Sequence, residues 1–430
     1  MPSRREATPE AVAEAAAGGR PRTRAEPGTV GIVGAGQLAR MLLEAASALG
    51  VDTVVMAEDR ADAAARVGSR VLLGSPLIEH DLRELAAAVD VVTFDHELVD
   101  LELLGELEAE GAVVRPSAAA LEMAADKATM RVRLSEAGIA VPAFAVVGDA
   151  RTPDPLDAVA AFAHRHGWPV VLKAVRGGYD GRGVWPVPDL AAAAEVCAAA
   201  ASRGLHLLVE ELVPIELELA VLVARRPGGQ SVVWPTVETT QVDGVCREVA
   251  VPGRLPPAVG AEAGRVAGRV AEVVGSVGVL AVELFFTGTD LVVNEVATRP
   301  HNTGHWTIEG AVTSQFENHL RAVLDLPLGD PSPSAPHVAS VNVFGGASGQ
   351  DPAGALAGAL SVPGAHVHLY GKAPRPGRKL GHVTVRGDDP ADVRRRAWAA
   401  ALALGTPVPG GVELPPGLAA PVVGAPRRWP

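Results

Sequence analysis

Short apolar runs alternate with amphipathic stretches over the first part of the chain. The run TVGIV (29–33) predicts a strand, and QLARMLLEAASALG (37–50) has the apolar spacing of a helix. DTVVMA, VLLG, VVTF and AVVR follow as predicted strands, with helical segments between them. Strand–helix alternation predicts a parallel sheet with helices on both faces. We therefore expect an α/β, Rossmann-like N-terminal domain over residues 29–125.

Strand-like runs dominate after residue 125. A predicted helix at 125–139, ended by Gly138, comes first. Apolar strand patterns then recur from VPAFAVV to DLVVNEVA, interrupted by helical patterns such as DLAAAAEVCAAAA. Antiparallel sheets with helices at the side would account for this pattern, so we expect an α+β central domain over residues 126–325.

A Pro-rich linker, PLGDPSPSAP, precedes the last strands, HVASVNVF, HVHLY and GHVTV. With a final helix at 391–404, they predict a small C-terminal β-rich domain over residues 326–413. The two ends of the chain are rich in Pro and Gly and carry no apolar core pattern. We expect residues 1–28 to be a disordered tail and residues 414–430 a mobile one.

Composition narrows the classes of partner. The net charge of −12 at pH 7 argues against a nucleic-acid binder, which needs a basic surface. The negative net charge is still compatible with small anionic substrates, because local clusters of basic residues bind such ligands inside acidic proteins. Cys197 and Cys246 are too few for a disulfide framework and fit a reducing cytoplasm. No apolar run reaches transmembrane length, so we expect no membrane span.

Lysine is rare in this chain. Of 38 basic side chains only four are lysines, namely Lys127, Lys173, Lys372 and Lys379. An ammonium on a flexible stem is not interchangeable with a planar guanidinium. Either these lysines survived by drift on solvated faces, or each has a task that arginine does not perform. Lys173 precedes the glycine-rich run GGYDGRG, where a lysine often acts as a point charge on phosphate, and Lys372 and Lys379 flank a second basic loop, KAPRPGRK.

The turn GAGQLA carries Gly34 and Gly36 between a predicted strand and helix, and Glu58 or Asp59 follows about twenty residues later. This is a partial dinucleotide fingerprint, so a NAD(P) domain and a structural tight turn both stay open. The loop GGYDGRG (177–183) follows the strand of Lys173. It is either a phosphate-covering loop or a hairpin with a glycine-rich turn.

Carboxylates stand out on three predicted strands. Glu210 and Glu211 end the strand LVEEL, where alternation directs them to opposite faces. One of them could accept from an adenine amine or a ribose hydroxyl. Glu283 in LAVELFF and Glu295 in LVVNEVA are carboxylates among apolar residues, on strands joined by the turn TGTD. They predict either a Mg²⁺ site at nucleotide phosphates or two buried salt bridges. RPHNTGHW (299–306) is dense in polar groups and predicts a site.

Together these segments resemble the ATP-grasp superfamily and, within it, the N5-carboxyaminoimidazole ribonucleotide synthase family. The resemblance covers about residues 29–385 in the family's order, and its most specific parts are the loop GGYDGRG, the segment from Asn294 to Val323 and RPGRKLGHV. It implies ATP and Mg²⁺ (or Mn²⁺) as cofactors. The small-molecule partners would be ATP, bicarbonate and aminoimidazole ribonucleotide. It also implies a homodimer.

The resemblance also implies a role for individual residues. Nucleotide contacts are expected from Lys127, Lys173, Gly178, Tyr179, Asp180, Gly181, Arg182, Gly183, Glu210, Glu211, Leu212, Val213, Glu218, Gln241, Asn294 and Glu295. Substrate contacts are expected from Gln37, Leu38, Glu97, Arg299, His301, Asn302, His305, Lys372, Arg378 and Lys379. Glu283 and Glu295 would bind the metal. Catalysis would rest on Lys173, Tyr179, Asp180, Arg182, Arg299 and Lys379.

The chain departs from the family pattern at two places. Ala39 stands where the family usually has glycine, and Leu98 replaces an asparagine beside Glu97. Three alternative functions stay open. One is another ATP-grasp ligase, such as a formate-using transformylase or a biotin carboxylase-like enzyme. The others are a NAD(P)-dependent oxidoreductase built on GAGQLA and a non-catalytic nucleotide sensor. The oxidoreductase would leave Glu283, Glu295 and GGYDGRG without a role.

Overall fold

A computed structural model describes residues 28–147, 154–178 and 181–418. Most of the two predicted tails lies outside these residues, as do Tyr179 and Asp180.

The N-terminal segment forms a parallel sheet with the strand order β3-β2-β1-β4. Every residue of the first strand is buried, as expected for an apolar strand in a parallel sheet that has helices on both faces. The strands are β1 (Val30–Val33), β2 (Thr53–Ala57), β3 (Val71–Leu73) and β4 (Val91–Phe94). The helices are α1 (Gln37–Leu49), α2 (Glu79–Ala87), α3 (Leu101–Ala109) and α4 (Ala118–Ala125). The prediction of a Rossmann-like domain is confirmed.

The strand predicted for AVVR (112–115) does not form. Val114 makes a single parallel bridge with Val92, outside any strand. Pro116 follows and has no N–H with which to extend a ladder. The strand prediction, which rested on the apolar run alone, is therefore wrong for this segment.

A small antiparallel sheet follows, with the order β5-β8-β6-β7. Its helices pack their apolar residues, including Val159 and Phe162, against Leu172 and Val209. Lys173 and Glu210 neighbour these two core residues and leave the sheet on the opposite face. The elements are α5 (Lys127–Glu136), which precedes the sheet, β5 (Phe144–Val147), α6 (Pro155–His166), β6 (Val170–Ala174), β7 (Val184–Val187), α7 (Leu190–Ala201) and β8 (Leu207–Glu211).

The remaining strands form one antiparallel sheet in the order β14-β13-β9-β11-β12-β15-β17-β16, with β10 paired to β9. The strands are β9 (Leu217–Arg225), β10 (Ser231–Val233), β11 (Val237–Val242), β12 (Val245–Val251), β13 (Gly278–Phe286), β14 (Leu291–Ala297), β15 (His337–Phe344), β16 (His366–Leu369) and β17 (Lys379–Gly387). Strand β15, after the Pro-rich linker, pairs with β12. The last strands thus extend the central sheet.

Helices complete the layers. Ala263, Ala267 and Val270 of α8 (Pro257–Val274) pack on Val221 and Val282 of the large sheet. His319 of α10 (Gln315–Val323) lies 2.7 Å from Thr93 Oγ1 of β4, and its Nδ1 accepts from the Val279 N–H of β13 at 3.0 Å. This histidine ties the parallel sheet to the large sheet. The other helices are α9 (Thr307–Gly310), α11 (Leu356–Leu360) and α12 (Pro390–Ala403). No described helix is long and apolar enough to cross a membrane.

Candidate active site

Strand register places three carboxylates on one face of the large sheet. Glu283 of β13 lies directly opposite Glu295 of β14, and it also faces Ala220 of β9. Glu218 is two residues from Ala220 and shares its face, because side chains alternate along a strand. The predicted meeting of Glu283 and Glu295 across the TGTD hairpin is thus present in the structure.

A β-bulge brings Asn294 to the same place. Glu283 pairs with Glu295 but the next residue, Leu284, pairs with Val293, so Asn294 is the extra residue of β14. Bulges re-aim side chains that a regular strand would send to the opposite face. Here the Asn294 Oδ1 accepts a hydrogen bond from Lys173 Nζ at 3.1 Å.

Two lysines reach this carboxylate face from other elements. Lys127, the first residue of α5, places Nζ 3.2 Å from Glu295 Oε2. Burial alone would raise the pKa of Glu295, but Lys127 and Lys173 hold it below its ordinary value. Burial lowers the pKa of Lys173, while the Glu210 carboxylate opposes this. The site therefore offers ammonium groups beside carboxylates, a combination suited to a metal–phosphate complex.

The Glu210 carboxylate, which was expected to contact the nucleotide, contacts two basic side chains of the protein. Its Oε1 lies 2.6 Å from Arg131 Nε and its Oε2 2.7 Å from Lys173 Nζ. Burial would raise the pKa of Glu210, but these two cations outweigh it and keep the pKa low. Both carboxylate oxygens already contact cations, so the structure does not support the expectation that this side chain holds adenine. Glu210 instead positions Lys173.

The other nucleotide-side residues line the neighbouring strand ends. Glu211 Oε1 accepts from the Ala143 N–H at 2.9 Å, while Leu212 is exposed and Val213 is half-buried. Glu218 is half-buried, and burial raises its pKa to about 7. It faces Thr239, two residues from Gln241 on β11. These positions flank one end of the carboxylate face.

Glycine is required in the loop that follows β6. Gly177, Gly181 and Gly183 have φ angles near +75°, which L side chains rarely adopt. A Cβ on Gly181 would lie 2.6 Å from the Asp243 carbonyl oxygen, and one on Gly178 would lie 2.8 Å from the Arg182 carbonyl oxygen. The loop thus packs against the β11–β12 turn. Arg182 is exposed, and Tyr179 and Asp180 lie outside the described residues.

The RPHN segment lies next to the carboxylates. His301 Nε2 is 3.7 Å from Glu283 Oε1, and Arg299 Nε is 2.9 Å from Glu97 Oε1. Arg299 and Glu97 therefore meet, although they follow strands of different sheets. Asn302 starts a short 3-10 turn, and His305 behind it is completely buried.

The start of α1 completes the polar surface. The Lys372 ammonium donates to Gln37 Oε1, and Gln37 Nε2 is 3.5 Å from Asn302 Oδ1. Leu38 packs in the core of the N-terminal sheet, so only its main chain is left for a substrate. Lys379 is 9% exposed and its charge acts on His301 and His305. Arg378 is half-buried and donates to the Ala373 carbonyl oxygen at 3.1 Å.

Side chains of the protein fill the space around the GAG turn (34–36). The Gly36 N–H donates to Asp95 Oδ2, and a Cβ on Gly34 would lie 2.8 Å from the His96 ring. Close packing of these side chains therefore explains both glycines. The Asp95 carboxylate also takes the place at the helix start where a dinucleotide domain binds pyrophosphate.

The donor set fits a hard divalent cation held together with a nucleotide. Glu283 and Glu295 supply carboxylate oxygens on one face, with the Asn294 amide beside them. Among the described residues no group of three or more His, Cys, Asp or Glu could hold a metal. Magnesium needs only one or two carboxylates when substrate phosphates supply further oxygens. The geometry thus favours a shared metal–phosphate site over an all-protein metal cage.

Three residues of the site gave no sequence signal. Arg131 lies within a helix of mixed polarity, Asp95 follows a strand, and Gln315 starts α10. Arg131 and Gln315 are completely buried, which is unusual for such polar residues. Their partners lie far away in the sequence, so only the folded chain reveals the contacts.

Family models match three consecutive parts of the chain. The ribonucleotide synthetase preATP-grasp domain matches residues 28–125. The ATP-grasp domain matches residues 132–316. The phosphoribosylaminoimidazole carboxylase C-terminal domain matches residues 339–396. The expected fold class, Rossmann-like, ATP-grasp and small β-rich C-terminal, is confirmed.

Curated relatives carry the same name. The N5-carboxyaminoimidazole ribonucleotide synthase of Mycobacterium tuberculosis is 50% identical over 380 residues, which cover 86% of this chain and 86% of the relative. The synthase of Synechococcus elongatus is 40% identical over 360 residues, covering 83% of this chain and 89% of the relative.

Solved structures agree in fold. The Aspergillus clavatus N5-carboxyaminoimidazole synthase, in complex with ADP and 5-aminoimidazole ribonucleotide, has a TM-score of 0.81 and 30% identity, covering 88% of this chain and 99% of that one. The Thermus thermophilus synthetase has a TM-score of 0.77 and 36% identity, covering 87% of this chain and 98% of that one. On sequence, domain order and structure alike, this chain belongs to the N5-carboxyaminoimidazole ribonucleotide synthase family of the ATP-grasp superfamily.

Proposed function

We propose that this chain carboxylates 5-aminoimidazole ribonucleotide with bicarbonate, at the expense of ATP, in purine biosynthesis. The products are N5-carboxyaminoimidazole ribonucleotide, ADP and phosphate. One observation carries the proposal. The cluster of Glu283, Glu295, Lys127 and Lys173 adjoins the polar RPHN segment, because His301 Nε2 lies 3.7 Å from Glu283 Oε1. A site for a metal nucleotide and a site for a small anion therefore adjoin.

The nucleotide would lie between the small sheet and the large sheet. Lys127 and Lys173 face its phosphates, since both ammonium groups reach the β14 carboxylate and amide groups. The main chain at Glu211–Val213 would contact adenine, and Glu218 and Gln241 would lie on the ribose side. The glycine-rich loop, with Arg182, would close over the phosphates and exclude water.

Glu283 and Glu295 would hold Mg²⁺, or Mn²⁺ in its place. When bound, the ion supplies positive charge at the transferred phosphoryl group. Asn294 orients Lys173 beside it. Arg299 and Lys379, whose charges both act on His301, would add positive charge beside the RPHN segment. Bicarbonate and the ribonucleotide would bind there, with Gln37, Glu97, Asn302, Lys372 and Arg378.

The reaction follows from this arrangement of charge. A bicarbonate oxygen attacks the γ-phosphorus of ATP, the bond to the β-phosphate oxygen breaks, and carboxyphosphate and ADP form. The exocyclic amine then attacks the carboxyl carbon, or CO₂ released from carboxyphosphate. The carbon–oxygen bond to phosphate breaks, the amine loses a proton, and the carbamate and phosphate remain. Positioning and charge neutralisation carry most of such phosphoryl transfer.

The experiment is a phosphate-release assay on the full chain with MgATP and bicarbonate. We expect 5-aminoimidazole ribonucleotide to stimulate phosphate release strongly and to be consumed in equal amount. Formate with glycinamide ribonucleotide, and biotin with bicarbonate, test the other ATP-grasp ligases. Stimulation by one of those acceptor pairs, without any by aminoimidazole ribonucleotide, would overturn the proposal.

Two further expectations are part of the proposal. A homodimer is expected from the family resemblance, and light scattering of the purified chain would test it. A cytoplasmic location is expected from the two cysteines, which form no disulfide. Cell fractionation with an epitope-tagged chain would test the location.

A further inference from the structure

The amide of Asn302 is held by two separate hydrogen-bond chains, and both end on its oxygen. His305 Nε2 lies 3.2 Å from Asn302 Oδ1, and Gln37 Nε2 lies 3.5 Å from the same atom. If both partners are donors, the Asn302 amide nitrogen is turned the other way. The direction of each chain can be fixed from groups whose roles are unambiguous.

The first chain starts at the His301 backbone. The His301 N–H donates to Gln315 Oε1, and the His301 carbonyl accepts from Gln315 Nε2, both at 2.8 Å. These two bonds fix which end of the Gln315 amide is nitrogen. That nitrogen lies 3.5 Å from His305 Nδ1, which must therefore accept. Neutral imidazole with an accepting Nδ1 carries its proton on Nε2, so His305 donates to Asn302.

The second chain starts at Lys372. An ammonium only donates, so the Gln37 oxygen is the atom that faces Lys372. The Gln37 amide nitrogen therefore faces Asn302 and donates to it. Two independent anchors, a peptide group and a lysine, thus give Asn302 the same orientation.

The surroundings keep His305 in this form. The ring is completely buried and stacks on His382 with centroids 4.7 Å apart. Burial, together with the nearby Lys379 charge, lowers the pKa of His305 well below its ordinary value. The ring contacts Gln315 and Asn302 and packs against Phe316, Tyr370 and His382. The charged or titratable groups that act on it are Lys379, Arg299, His301 and His368, and all of them disfavour its protonated form. A proton on Nδ1 would meet the Gln315 amide nitrogen, another donor.

We propose that Gln315 and His305 are positioning residues that hold Asn302 with its amide nitrogen directed at an anionic oxygen of the substrates. This inference rests on the proposed function, and it goes further by giving His305 an indirect role. His305 lies behind Asn302 and does not itself touch the substrate. The tight packing at Gly304 fits this arrangement, because a Cβ there would lie 2.5 Å from Gln315 Oε1.

A double-mutant cycle tests the inference. We expect His305→Phe, which keeps a stacking ring without the donor, to lower kcat/KM for the ribonucleotide by roughly 10-fold or more, while the KM for ATP is unchanged. Asn302→Ala should cause a similar loss. The double variant should be no worse than Asn302→Ala alone, because His305 acts only through Asn302. Losses that multiply would overturn the proposal.

Two further measurements keep the test decisive. His305→Gln retains a donor near the Nε2 position and should recover most of the activity, whereas His305→Asn should not. Equal activity of these two variants would also overturn the proposal. Nitrogen chemical shifts of His305 in the wild-type protein should show the neutral Nε2–H form from pH 5.5 to 8.

The nitrogen shifts separate this inference from the proposed function. A proton on Nδ1 would refute the positioning role in an active enzyme. Wild-type protein with the Nε2–H form but no ribonucleotide-dependent turnover would refute the proposed function instead.

Discussion

The carboxylate of Asp95 accepts a hydrogen bond from the backbone N–H of Gly36, at the first turn of α1. This contact decides how the GAGQLA turn is interpreted. A dinucleotide domain leaves this amide free for an anionic pyrophosphate. Here a carboxylate of the protein already lies there and would repel a second anion. The oxidoreductase alternative therefore loses the motif on which it was built.

The first prediction concerns nucleotide choice. The wild-type chain should bind ATP and should not bind NADH or NADPH, because Asp95 occupies the helix start. Isothermal titration with each nucleotide measures this. Asp95→Asn removes the charge but keeps an oxygen that accepts from the Gly36 N–H, so nicotinamide binding should remain absent in this variant because the N–H stays occupied. Micromolar NADH binding by the wild type would contradict the assignment.

The second prediction concerns the facing carboxylates. Glu295→Ala should lower ATP turnover on the order of 100-fold or more, a loss typical for one electrostatic contact to a transition state. The fold should persist, as judged by circular dichroism and thermal unfolding. Asp290→Ala, in the exposed turn of the same hairpin, is the matched control and should keep wild-type activity. Near-normal turnover by Glu295→Ala at saturating Mg²⁺ would reject its role as a ligand.

The third prediction separates the two substrates. Lys379→Ala should raise the KM for the ribonucleotide more than the KM for ATP, since the charge of Lys379 acts on His301 and His305 in the segment proposed to bind the ribonucleotide. Arg375→Ala, exposed in the loop before β17, should leave both KM values near wild type. Steady-state kinetics with each substrate varied in turn gives the comparison. An unchanged ribonucleotide KM in Lys379→Ala would count against the assignment.

The fourth prediction concerns the buried ion pair at Glu210. Arg131→Met leaves Glu210 with only Lys173, and breaking a buried pair typically costs about 3–5 kcal/mol of unfolding free energy. Denaturant unfolding measures the loss. Arg133→Met, on the exposed side of the same helix, is the control and should change stability by less than about 0.5 kcal/mol. Equal stability of the two variants would show that Arg131 is not a structural partner.

The fifth prediction concerns acid stability through His319. Burial lowers the pKa of this histidine to about 3, so it stays neutral in the folded chain while the unfolded chain takes up a proton near pH 6.5. The contribution of neutral His319 to the free energy of unfolding is fully present above pH 6.5 and is lost as pH falls toward 3. The slope is about 1.4 kcal/mol per pH unit for one histidine.

Denaturant unfolding between pH 4.5 and pH 6 tests this slope. His319→Gln should be less stable at neutral pH and should show a shallower pH dependence than wild type. His80→Gln, at an exposed position, should keep the wild-type slope. An unchanged slope in His319→Gln would refute the linkage.

Local patterns were enough to predict the fold class and the facing carboxylates. Glu283 and Glu295 sit in apolar strand patterns that a short turn joins, so their pairing follows from hairpin geometry. The lysines were also informative, because Lys127, Lys173 and Lys372 all contact polar groups of the candidate site. These features depend on contacts that are close in sequence or on rare residue types.

Contacts between distant segments could not be predicted. The bulge at Asn294 depends on the register of two strands, and no residue type marks it. Arg131 meets Glu210 only because α5 packs beside the small sheet, and its position between Met130 and Val132 gives no sign of this. The same holds for β15, whose pairing with β12 is hidden behind a linker that looks like a domain boundary.

The scarcity of lysine has a practical consequence. Acylating dyes, biotinylation reagents and reductive methylation attack primary amines. In this protein the only side chains that carry such amines are Lys127, Lys173, Lys372 and Lys379. Apart from the amino terminus, coupling through amines would therefore modify residues of the candidate site. Immobilisation or labelling is better directed to a carboxyl group or to an introduced thiol, and protection of Lys127 and Lys173 by ATP would itself report nucleotide binding.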